Sequence, residues 1–157
     1  YQELLAGQSA GLLIVESKAG VPVLQECKTT IREAKAQKLD ELRLYDSSEE
    51  VNQFSINKVF GWFNKSTRVG LANSINIERE VGRSKTNIWL GDTLFILPIE
   101  KAIDMLCQLE LYALTCYNVT QGHINIINQL ETKESIEFYD FRIGYPKKLS
   151  FTGYPTL

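Results

Sequence analysis

Residues 98–130 read PIEKAIDMLCQLELYALTCYNVTQGHINIINQL, the longest stretch of the chain with one consistent period. Ile99, Ala102, Ile103, Leu106, Leu109, Ala113, Cys116 and Tyr117 fall three or four residues apart and so share one face of a helix. Glu100, Lys101, Asp104, Gln108 and Glu110 fall mostly on the other side. Pro98 stands at the start, where a proline costs no backbone donor. The period weakens through Asn118, Thr120 and Gly122 and resumes at Ile124, Ile127 and Leu130. The pattern predicts either one long helix with a soft middle or two helices meeting near Asn118.

The segments on its N-terminal side alternate between hairpins and helices. Leu12–Val15 and Val21–Gln25 are β-prone runs around a small turn and read as a hairpin over Leu12–Gln25, with Pro22 on an edge strand. A helix capped by Thr29 or Thr30 is expected to run to about Tyr45, with a thin apolar stripe of Ile31, Ala34, Leu39, Leu42 and Tyr45. Val51–Ile56 and Val59–Phe63 flank an Asn57-Lys58 turn and predict a second hairpin. Asn64–Thr67 carries capping residues for a helix that Gly82 closes. Thr86–Leu90 and Thr93–Leu97 flank Gly91-Asp92 as a third hairpin. Beyond the long helical stretch, Lys133–Ser135 opens a short helix or turn, and Lys147–Phe151 is a short last strand or an extended tail. The expected fold class is α+β: short antiparallel β-hairpins packed on helices, with one long helix in the C-terminal half.

Composition narrows the function classes. The 157 residues are 44% hydrophobic and 23% charged, as in an ordinary globular domain. With 17 basic and 19 acidic residues, the net charge of -2 gives no footprint for nucleic acid or an anionic membrane. No apolar run approaches the roughly 18 residues of a membrane span. The cysteines are Cys27, Cys107 and Cys116, and His123 is the only histidine, too few close ligands for a zinc site of the usual kind. Cys107 and Cys116 lie about half a turn out of phase on a helix. Three reduced thiols in a reducing cytosol are the expectation. Residue 1 is Tyr, so the chain is expected to continue a longer protein or to follow processing, and no secretory leader is read in it.

Candidate chemistry is sparse. His123 lacks a recognisable carboxylate and nucleophile in sequence, and a structural role is expected. Asp140, beside Tyr139, reads as a turn lock that accepts backbone N–H groups. Trp62, Trp89, Phe60, Phe63 and Phe95 lie in hairpins, where aromatic rings stack on sugars or fill cores. The glycines form no phosphate cradle. Asn64-Lys65-Ser66 and Asn118-Val119-Thr120 match the glycosylation sequon by chance. No catalytic residue, cofactor or metal is expected.

One family resemblance adds to this. Tyr45-Asp46-Ser47-Ser48, Val51-Asn52-Gln53-Phe54 and Trp62 come first. Thr67–Leu71, Ile77-Glu78, Gly82-Arg83 and Trp89 follow, then Met105-Leu106, Leu109-Glu110, Tyr112-Ala113 and Cys116–Thr120. His123, Leu130, Tyr139–Phe141 and Gly144–Phe151 complete the order. Over Lys38–Phe151 the chain resembles a domain of tail-fibre-type and tail-associated proteins of tailed bacteriophages and prophages, including those of Bacteroidetes hosts. The family brings no established active site. The resemblance implies a non-enzymatic structural or assembly module in a phage virion, made in the bacterial cytoplasm and acting on other virion proteins, as a homo-oligomer. Host-glycan binding and a fibre-assembly chaperone are the alternatives. Residues 1–37 would form a docking segment, 38–151 the tail-associated domain and 152–157 a tail. The residues expected to dock a partner are Leu13, Val15, Val21, Val23, Leu39 and Leu42.

Overall fold

The computed structural model describes residues 21–155. Its elements are α1 (Val21–Asp46), β1 (Phe54–Ile56), β2 (Val59–Gly61), α2 (Lys65–Glu80), β3 (Lys85–Leu90), β4 (Thr93–Pro98), α3 (Ile99–Gln129), α4 (Lys133–Glu137) and β5 (Ser150–Phe151). The class is α+β, with short strands in small sheets and the long α3 in the C-terminal half. α3 is one continuous helix, which decides between the two readings of its soft middle.

The described residues divide into two compact units, one of residues 21–45 with Thr120–Ile143, the other of Asp46–Val119 with residues 144–155. In the larger unit the core is built on the first two-thirds of α3. Ala102, Met105, Leu106 and Leu109 bury one stripe of the helix against Phe54, Ile56, Ile88, Leu90, Phe95 and Leu97 from the strands and Ile75 from α2. Period-2 burial in β3 delivers Thr86, Ile88 and Leu90 inward, which is the signature of a half-buried strand. β3 and β4 pair antiparallel around Gly91, whose φ of 61° suits the tight turn. β1 and β2 pair around Asn57 and Lys58, both at positive φ, as a two-residue hairpin turn requires.

β1 does not alternate. Phe54, Ser55 and Ile56 are all buried, because β1 is the central strand of the order β2-β1-β5. β5 pairs parallel to it, and the Ser55 hydroxyl meets the Ser150 hydroxyl at 3.3 Å. The tail beyond β5 is tied down by the Asn57 side chain, which donates to the Tyr154 carbonyl and accepts from its N–H.

α2 starts as its sequence predicts. Asn64 caps it by accepting from Thr67 N at 2.9 Å, and Gly82 follows its end at φ 87°.

The smaller unit has its own core of Leu42, Ile127 and Phe141, with Leu39, Tyr45, Ile124 and Tyr139 packed beside them. α1 supplies two cations to backbone carbonyls. Lys35 Nζ donates to Asn128 O at 2.7 Å, in the last turn of α3, which carries no basic residue of its own there. Lys38 Nζ donates to Glu137 O at 3.0 Å.

One expectation is corrected here. Val21–Gln25 is helical, not the second strand of a hairpin, and the Leu12–Gly20 part of that reading lies outside the described residues. Pro22 sits in the first turn of α1, where its missing N–H has no intrahelical partner to lose. No glycine interrupts the run from Val21 to Asp46, so the helix starts well before Thr29.

Gly61 is the tightest backbone approach in the larger unit. A Cβ there would stand 2.4 Å from Leu90 Cδ1 and 2.9 Å from Leu90 Cγ, and Leu90 is itself buried in the core. Gly61→Ala is therefore expected to lower stability by about 1–3 kcal/mol through overpacking. Urea unfolding checks this, and an unchanged midpoint would show that Leu90 moves aside at no cost.

Candidate functional site

Two hollows on the larger unit are built from side chains with chemistry to offer. The first, of about 550 Å³, is a cleft with a polar and aromatic lining. The last residue of α1 and the segment after it contribute Asp46, Ser47, Ser48, Glu49 and Asn52; the approach to α2 and its first turn contribute Trp62, Asn64, Lys65 and Arg68; α3 contributes Ala113, Cys116 and Tyr117.

Its walls are fixed by hydrogen bonds. Asn52 donates from its amide to the carbonyls of Asp46 at 2.7 Å and Ser48 at 3.2 Å, which leaves the amide oxygen as the group it can offer. Arg68, only 6% exposed, is paired with Glu110, donates to the Phe63 carbonyl at 2.7 Å and lies over the Trp62 ring at 5.4 Å. Trp62 also meets Tyr112 and Phe54 edge-on, at 6.0 and 6.3 Å between ring centroids. Tyr112 donates to the Val51 carbonyl at 2.6 Å. Cys116 is buried, and burial pushes its thiol up, with the Asp46 carboxylate acting in the same direction; a thiol held protonated is a poor nucleophile.

The second hollow is an apolar groove of about 510 Å³ between α2 and α3. Val69, Ala72, Ile103, Leu106, Cys107 and Leu111 line it, with Arg68 and Glu110 along the same wall. Beside it α3 exposes Leu111 and Leu114, at 63% and 54%.

His123, in the smaller unit, is structural in its geometry. Its Nε2 lies 2.8 Å from the Ile143 carbonyl, which can only accept, so Nε2 carries the hydrogen in the neutral ring. Nδ1 then accepts from the Tyr139 hydroxyl at 2.6 Å. Asp140 Oδ1 accepts from Arg142 N at 2.9 Å, the turn lock expected of it.

The remaining expected residues fall as follows. Leu13 and Val15 lie outside the described residues, and Val21 and Val23 belong to the first turn of α1. Leu42 is fully buried and Leu39 partly so, both within the core of the smaller unit, which leaves neither as a free docking face. Phe63 and Phe95 are core, Trp62 is partly buried, and Phe60 and Trp89 are exposed. Tyr117 is 60% exposed and so is not on the buried face of α3, where Met105 and Tyr112 stand instead. Arg68 and Asn52 stand within stretches of the resemblance that assign them no role, and the Leu111–Leu114 pair carries no sequence motif. The visible signal for the leucines is that they fall off the apolar stripe of the helix.

Among the described residues, no helix is long and apolar enough to cross a membrane, and no three His, Cys, Asp or Glu are grouped to hold a metal ion. No family model, curated protein or solved structure matches the chain.

The His123–Tyr139 contact makes a prediction. Tyr139→Phe removes the hydrogen that Nδ1 accepts and is expected to cost about 1–3 kcal/mol. Burial, and then the Asp140 carboxylate, hold the Tyr139 phenol above its ordinary value. Below about pH 10 the phenol is protonated in both folded and unfolded chains, so its contribution is complete. Above that pH the unfolded chain ionises first, and the contribution is lost as pH rises toward the raised folded value. Urea midpoints at about pH 8 and about pH 11 should therefore differ less in Tyr139→Phe than in the parent chain.

Proposed function

We propose that this chain is a non-enzymatic structural and assembly module of a tailed-bacteriophage virion, working through contacts with a second copy of itself and with other virion proteins. The observation that carries the assembly reading is the apolar surface of the larger unit. Leu111, Leu114 and Val69 are 63%, 54% and 46% exposed beside the groove between α2 and α3. Scattered apolar residues are normal on a protein surface, but a contiguous apolar groove with exposed leucines at its rim marks an interaction site. Leu111 and Leu114 stand one turn apart on α3, so two copies related by a twofold axis would bring like apolar residues together. The place in a virion rests on the resemblance carried by the residues from Lys38 to Phe151. Three polar side chains are engaged in holding structure: His123 on Tyr139 and Ile143, Asp140 on Arg142, and Arg68 on Glu110 and Phe63.

Light scattering on a sizing column is expected to give a multiple of the chain mass. The double variant Leu111→Asp, Leu114→Asp is expected to run as one chain with unchanged helix content. A parent chain already at the mass of one chain, or a double variant with undiminished mass, would remove self-association from the reading. Mass spectrometry of purified particles, induced from the host carrying the gene, is expected to find the chain; its absence there would remove the virion.

A further inference from the structure

We propose that residues 149–155 are a releasable strap, a peptide ligand carried by the chain itself and seated in a groove of its own larger unit. The groove takes an extended segment with two apolar side chains two residues apart, the second of them aromatic. This stands apart from the assembly reading, which rests on α2 and α3 and not on β1.

The strap is held as a docked peptide is held, by backbone hydrogen bonds along a strand edge and by one anchoring side chain. β1 has β2 on one side, and on the other it meets the two-residue β5. Ser55 N donates to Leu149 O at 3.1 Å, and Asn57 N donates to Phe151 O at 2.7 Å. Phe151 is the anchor. It is 8% exposed, joins the core and meets Phe54 edge-on at 6.1 Å between ring centroids.

The register sets the chemistry of the ligand. Phe151 pairs with Ile56 and Ser150 with Ser55, so in an extended chain Leu149 and Phe151 share one face and Ser150 takes the other. Leu149 packs against the same core as Phe151, while the Ser150 hydroxyl lies 3.3 Å from that of Ser55. Gly153, at φ 81°, then turns the chain, and the Asn57 amide clasps the N–H and carbonyl of Tyr154. The last contact is a long one, from Ile96 N to Pro155 O at 3.4 Å.

The attachment is built to come away. Residues 145–149 carry no helix or strand, and Lys147 and Lys148 are exposed, so the strap can leave without unwinding another element. Its departure would open the Ser55 and Asn57 N–H groups to water while the ladder between β3 and β4 stays paired, which is a local opening. The short tether returns the strap at an effective concentration on the order of millimolar, so its hold on the groove in the intact chain is strong even where the contacts alone are weak.

Two measurements on the full chain test this. In hydrogen exchange read by NMR, the Ser55 and Asn57 amides are expected to exchange about tenfold faster, or more, than the amides paired between β3 and β4. A fluorescent peptide of the sequence Lys147–Pro155 is then titrated into the parent chain and into Phe151→Ala, whose own strap lacks its anchor while the groove is unchanged. The peptide is expected to bind the variant about tenfold tighter than the parent, and the same peptide carrying Phe151→Ala is expected not to bind. Circular dichroism reports whether the variant keeps its fold, and the exchange measurement decides without any variant. The proposal is overturned if Ser55 and Asn57 exchange no faster than the β3–β4 ladder. It is equally overturned if the folded variant takes the peptide no better than the parent chain does, or takes it equally well with and without the peptide's phenylalanine.

Discussion

The buried stripe of α3 is the constraint on which the larger unit depends. Ala102, Met105, Leu106, Leu109, Tyr112 and Cys116 lie along one stripe of the helix, and each is at most 6% exposed. None of the surrounding elements could hide its apolar face alone. β1 and β2 are three residues each, and a two-stranded ribbon is marginal in water. The β3–β4 hairpin has one buried face, Ile88 and Leu90 across from Phe95 and Leu97, and needs a helix to cover it. α2 offers Ile75 as its one fully buried apolar side chain, with Leu71 and Ala72 partly covered. α3 is the element common to these contacts, and burial of its stripe is worth roughly 25 cal/mol for each Å² of apolar surface removed from water.

That dependence explains which parts of the fold could be read in the sequence. Where a segment carries its own punctuation, the reading and the structure agree. Asn64 and Gly82 bracket α2, Gly91 turns β3 into β4, and the helical period of Ile99–Ile127 survives Gly122. Gly122 has open space around it, so the helix loses only propensity there, about 1 kcal/mol against alanine, while Thr120 and His123 on either side are buried. Where the outcome depends on a distant segment, local pattern fails. The uniform burial of β1 depends on tertiary contacts, among them its pairing with β5, almost a hundred residues later, whose Phe151 joins the same core. Val21–Gln25 fails differently. Two valines around a proline look β-prone, but the long polar run that follows propagates as helix, and the proline is tolerated in its first turn.

The candidate sites were less legible than the fold, for a physical reason. Period locates what is buried, and the residues that line the cleft are the ones left over when the core is full. Tyr117 follows Cys116 directly, so the two point about 100° apart on the helix; one is 5% exposed and the other 60%. Arg68 looked like an ordinary charge in a helix and is instead buried by the Trp62 ring, the Phe63 carbonyl and Glu110. Only the joint placement of α2, α3 and the segment after α1 turns these into a lined hollow.

Arg68 ties the two hollows together. It lines the polar cleft and the apolar groove alike. A buried guanidinium is costly unless its donors are met, and removing its partner would leave an uncompensated charge. Here the cost is limited, because Glu110 is about half exposed and so gives up only part of its hydration, while the Phe63 carbonyl needs a donor in any case. What the arrangement gains is position. The cation holds the Trp62 ring from one side while Phe54 and Tyr112 hold its edges. An aliphatic residue at 68 would fill the groove wall, but it would leave the Phe63 carbonyl unmet and the indole free to shift. The polar wall of one hollow and the apolar wall of the other therefore depend on one side chain being charged, long and planar.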